Sequence, residues 1–158
     1  MRMALVLVAL TLATALPQRP ATAKSPADEA TAPIVAMIRE AVRAEDTGDP
    51  EAGRFYAPIQ SITDSVPPFH WHGADARDRW MDAIARDFET RNRGNGAIVL
   101  ADPTVAKIEG SFAYFVFPAA FTFTENNMQV TREATIAITA TLTGGEWKIA
   151  SWTWAGPN

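Results

Sequence analysis

One acid is set apart by the strand that would carry it. From Ile59 the sequence alternates with a period of two: Gln60, Ile62, Asp64 and Val66 share one strand face, and Ile59, Ser61 and Thr63 share the other. A carboxylate between two apolar neighbours loses hydration, which raises its pKa. It then suits proton transfer or the anchoring of a polar ligand group. A second reading fits the same residue, because an aspartate beside Pro67 at a strand end can cap a turn or face water.

Two further features could join Asp64. In His70-Trp71-His72, in the loop that enters the following helix, an extended backbone points His70 and His72 the same way, so either could contact a ligand or serve Asp64 as an acid/base partner. Two histidines fall short of a typical zinc site unless Asp64 or Asp75 joins them, and no metal site is assigned. Arg132 lies on the apolar face formed by Met128, Val130, Ala134, Ile136 and Ile138. Buried there it would need a carboxylate, Asp64 being the natural one. Near the hairpin end it would instead lay its stem over apolar surface with its head in water.

Other chemistry is excluded. The absence of cysteine removes thiol nucleophiles, disulfides and cysteine metal sites. Ser61, Ser65 and Ser151 stand in no nucleophile context, and the glycine pairs are hairpin turns rather than phosphate cradles, so no cofactor is expected.

Helices and strands must position these groups. Pro33 begins an amphipathic helix with Ile34, Ile38, Ala41 and Val42 on one side, stopped at Thr47-Gly48. Asp49 caps a short second helix running to about Tyr56. A third spans about Ala74 to Thr90 with Trp80, Met81, Ile84 and Phe88 in one stripe, and Gly94-Asn95-Gly96 is its natural stop. The remainder is strand: 98–109 interrupted at Asp102-Pro103, 112–125 with a bend at Pro118, 128–143, and 146–154. Helices first and antiparallel strands after define an α+β domain. Phe115, Phe117, Phe121 and Phe123 share one strand face, and Trp152 and Trp154 share another. These rings exceed what one core face needs, so the sheet's second face is covered by a ligand, a partner subunit or both.

Residues 1–23 form a signal peptide: Arg2, the apolar run Ala4–Leu16, then Ala21-Thr22-Ala23 as an A-x-A site cut after Ala23. The run is too short to span a membrane, so no anchor is expected after cleavage, and the product is periplasmic or secreted. Residues 24–31 are a flexible lead-in, and 32–158 make one domain. The net charge is −4, and cleavage removes Arg2 and Arg19 but no acid. With no long basic run, nucleic acid is not an expected partner.

The segment from Gly48-Asp49-Pro50 to Asp75-Ala76, with the closing Trp147-Lys148-Ile149-Ala150-Ser151-Trp152-Thr153-Trp154, resembles the cone-shaped domains of nuclear transport factor 2, SnoaL-like cyclases and ketosteroid isomerase. The resemblance covers about Pro33 to Gly156. It implies three N-terminal helices packed in a strongly bent, mainly antiparallel sheet that encloses a pocket, and a homodimer formed through the sheet's outer face. In ketosteroid isomerase the general base lies eight residues after an aromatic residue closing the short helix, a spacing matched by Tyr56 and Asp64. That family's oxyanion tyrosine maps nearest Ala41 and its protonated aspartic acid nearest Ile138 or Thr139, so steroid isomerisation is not expected. The resemblance implies a small apolar ligand, with Asp64 and His70 as catalytic candidates. Tyr56, Ile62, Trp71, His72, Trp80, Tyr114, Arg132 and Trp152 are the ligand-contact candidates. A lyase, cyclase or isomerase with Asp64 as base, or a dimeric interaction module, remains the alternative.

Overall fold

A computed structural model describes residues 26–156. The expected leader and its cleavage site lie outside the described residues. Helix α1 spans Pro26–Asp46, a 3-10 turn covers Ala52–Phe55, and helix α2 spans Ala76–Thr90. The strands are β1 (Tyr56–Thr63), β2 (His70–Gly73), β3 (Arg93–Leu100), β4 (Val105–Glu109), β5 (Phe112–Glu125), β6 (Met128–Thr143) and β7 (Glu146–Ala155).

The seven strands make one strongly curved, unclosed sheet in the order β2-β1-β7-β6-β5-β3, with β4 also paired to β5. Only β1 and β7 run parallel; all other pairs are antiparallel. The long β5–β6 hairpin turns at Asn126-Asn127, both with positive φ, the geometry that matches a turn to the right-handed twist of its strands. β3 and β4 lie end to end along β5, and Pro118 falls where one gives way to the other. That gap suits a residue with no N–H to donate, so the bend expected at Pro118 becomes a break in its neighbour.

The helices line the concave side, α1 against β3, β4 and β7 and α2 against β1, β2 and β3. Ile34, Ile38, Ala41 and Val42 bury as their spacing predicts, and meet Phe115, Phe117, Ile136, Ile138 and Ile149. The helix itself begins at Pro26, so residues 26–31 of the expected lead-in are helical; Ala- and Glu-rich sequence favours that state. Pro33 is thus internal, and one rung of the hydrogen-bond ladder is missing there.

Three other expectations change. The second helix is a single 3-10 turn, since Gly53 and the strand beginning at Tyr56 leave too few residues to repay nucleation. His70–Gly73 is an edge strand rather than a loop, because β1 offers it a free edge. Gly94-Asn95-Gly96 does not stop α2; Asn92, at φ 52°, turns the chain instead, and the glycines shift the register of β3 against β5.

A buried polar network ties α1, α2 and β1 together. Arg77 of α2 grips Glu45 of α1 through two bonds of 2.8 and 2.6 Å, with both side chains largely buried. The Arg77 backbone N–H donates to Gln60 Oε1, and Gln60 Nε2 donates to the Ala57 carbonyl. Removing one partner strands the other's charge, so Arg77→Met should cost about 3 kcal/mol of stability. Urea denaturation of Arg77→Met, Glu45→Gln and the double variant checks this; additive losses would mean that the pair is not coupled.

Candidate functional site

The concave side is incompletely filled. Between α2, β3, β5, β6 and β7 lies a cavity of about 190 Å³. Its apolar wall is Met81, Ile84 and Phe88 of α2, Ile98 of β3, Phe121 and Phe123 of β5, and Trp154 of β7. The α2 stripe therefore does two jobs. Trp80 and Ala83 are in the core, while Met81, Ile84 and Phe88 remain half-buried because they face the cavity. Phe121 packs on Phe123 and edge-on to Trp154, and Phe88 leans on both phenylalanines. Gly96 makes room for these rings: a Cβ there would stand 2.9 Å from Phe88 Cζ and 3.3 Å from Phe121 Cε2.

Asp64 lines this cavity at the end of β1. It is half-buried and closes the turn that follows β1. Oδ1 accepts the Val66 N–H at 3.1 Å and the Ser65 hydroxyl at 3.3 Å, which is turn capping. Oδ2 accepts the Trp80 indole N–H at 3.2 Å. Burial pushes its carboxyl above the usual range, against the pull of the Val66 and Trp80 donors. Asp46, the last residue of α1, also lines the cavity and accepts the Ile98 N–H at 3.1 and 3.2 Å. Loss of hydration on its inner side pushes it up to about 6.

Of the residues singled out in the sequence, Asp64, Trp80 and Arg132 meet at this cavity. The others lie elsewhere. Tyr56 is buried beside Glu45 and Arg77, its hydroxyl held far above its ordinary range by burial and by the Glu45 charge. Ile62, Trp71 and Trp152 are core residues, Trp152 standing behind the cavity with its ring 5.6 Å from that of Trp80. Its indole N–H has no acceptor among the described residues.

His70 and His72 stack on each other on the outer face, with His70 Nε2 3.2 Å from Ser61 Oγ. Pairing of Thr63 with His70 and of Ser61 with His72 puts both rings on the face opposite Ile62, which separates them from Asp64. Tyr114 pairs with Thr139 and Lys107 and is exposed on that same outer face. Arg132 makes no ion pair with Asp64; its guanidinium lies 5.3 Å over the Phe123 ring. Among the described residues no group of three or more His, Asp or Glu is placed to hold a metal ion.

Sequence reasoning missed Asp46, Asp87, Arg93 and Gly96. Phe121, Trp154, Met81, Ile84 and Phe88 already stood on apolar faces; periodicity identifies a face but not which end of it stays unfilled.

No family model matches the chain, and no curated protein does. Solved structures do. An NTF2-like protein of unknown function from Pseudomonas putida is 16% identical with a TM-score of 0.66, over 82% of this chain and 87% of that one. An NTF2-like protein with a cystatin-like fold from Novosphingobium aromaticivorans is 18% identical with a TM-score of 0.64, over 83% and 82%. The CaMKII hub of S. rosetta is 14% identical with a TM-score of 0.63, over 90% of this chain and all of that one. The chain has the cone fold of the nuclear transport factor 2-like proteins.

Proposed function

We propose that this is an exported protein that binds a small apolar molecule in the cone cavity. The observation that carries the reading is an aromatic-walled cavity with a half-buried carboxylate, Asp64, held at its edge by Trp80. Apolar walls supply most of the affinity, and a few fixed polar groups orient the ligand. Export is supported by Arg2, the apolar run after it and the A-x-A site.

A homodimer through the outer face is part of the same proposal. Ser61, Thr63, Ala137, Thr139, Ser151 and Thr153 make a surface of short side chains, and Tyr114 and Phe112 are exposed at its margin. Exposed apolar area of this kind marks a contact surface.

The alternative, a lyase, cyclase or isomerase with Asp64 as base, is favoured by its raised pKa in an apolar setting. The adaptor alternative draws on the same outer face.

Native mass spectrometry of the purified protein should show extra small-molecule mass, and Ile84→Trp, which fills the cavity, should lower the affinity for toluene at least about tenfold. Toluene binding undisturbed by Ile84→Trp would sink the cavity reading. Asp64→Asn should bind as before. If a reaction is found, its rate in the parent protein should rise with pH as Asp64 loses its proton, above the ordinary carboxylate range, and the variant should lose both the rate and that rise. Retained turnover in Asp64→Asn would remove Asp64 as base. Tyr114→Arg should shift sedimentation from dimer to monomer at micromolar concentration; a dimer that survives it uses another surface.

A further inference from the structure

Three arginines line the end of the cavity next to the β5–β6 turn, and two of them are matched. Arg91 Nε lies 2.9 Å from Asp87. Arg93, with only 7% of its side chain exposed, bonds Asp87 at 3.0 Å and Glu125 at 2.7 Å. Arg132, half-buried on the same wall, makes no hydrogen bond or ion pair among the described residues. It acts on Glu125 through its field alone, and that carboxylate is already held by Arg93. At this end of the cavity three guanidinium groups thus face two carboxylates.

The remaining cavity acids are engaged by donors. Glu45 is gripped by Arg77, Asp46 by the Ile98 N–H, and Asp64 by Val66, Ser65 and Trp80. A guanidinium on a cavity wall with no protein acceptor keeps its donors free for an incoming carboxylate, which would meet them in a two-point fork. The space is also limited. An apolar cavity of about 150 Å³ admits benzene, so about 190 Å³ admits one ring and a small substituent.

We propose that the ligand is a single-ring aryl acid, its ring among Phe88, Phe121 and Trp154 and its carboxylate on Arg132. This rests on the reading of the cavity as a binding site, and it names the chemistry of what enters.

Calorimetric titration of the full chain near neutral pH with benzoate, benzamide and toluene separates the two claims. Benzoate should bind at least about tenfold tighter than benzamide, its uncharged counterpart of the same shape. Arg132→Ala should bring benzoate down to the benzamide level. Arg132→Gln, closer in length and still polar, should do the same, with thermal melts confirming that both variants are folded. Equal affinity for benzoate and benzamide overturns the aryl-acid assignment and leaves the cavity reading standing. A benzoate preference that survives both substitutions overturns it too, since the anion is then held elsewhere. Failure of all three compounds to bind overturns both claims.

Discussion

The last turn of α1 fixes what the cavity can be. Two consecutive acids, Glu45 and Asp46, end the helix and reach in different directions: Glu45 to Arg77 of α2, Asp46 to the Ile98 N–H of β3. Acids are poorly placed at a helix C-terminus, where the backbone carbonyls already present negative charge. Each is retained by a specific partner that joins α1 to a different wall of the cavity. If that turn shifted, α2 and β3 would lose their common reference, and the cavity that Ile84 and Ile98 line would change with it. The raised pKa of Asp46 is the electrostatic cost of this arrangement, partly offset by its backbone donor.

Much of the fold was legible because periodicity survives in any environment. The buried stripe of α1 and the alternation of β5, with Ala113, Phe115, Phe117 and Ala119 inward and Phe112, Tyr114 and Pro118 outward, follow from spacing alone. What spacing cannot convey is register between distant segments. His70 and His72 follow Asp64 closely, yet the antiparallel pairing of β2 with β1 sets them level with Thr63 and Ser61 and so turns them to the opposite face. The 3-10 turn and the early start of α1 were missed for a related reason: local propensity is weak, and the neighbouring sheet decides where short segments begin.

The site was legible in part. Asp64 and Arg132 attract notice as charges on apolar faces, and both line the cavity. Arg93 gives no such signal, because its partners Asp87 and Glu125 lie 6 and 32 residues away and meet it only after α2, β3 and β5 assemble. Gly96 looks like a helix stop; its packing role appears only once Phe88 and Phe121 converge on it.

The surroundings of Asp64 bear on how reactive it can be. General-base catalysis on a carbon acid needs donors where negative charge develops. The two positions at which the ketosteroid isomerase resemblance would place such donors hold none that face the cavity. Ala41 is buried in the core and has no polar side chain. Thr139 lies on the outer face, its hydroxyl 2.6 Å from that of Ser151, while the neighbouring Ile138 fills the interior. The side-chain donors fixed near Asp64, the Trp80 indole and the Ser65 hydroxyl, are already spent on Asp64 itself. Under the proposed binding function, a carboxylate that closes a turn and holds a neighbouring indole, with Arg132 at another point of the cavity wall, would position a bound molecule more than transform it.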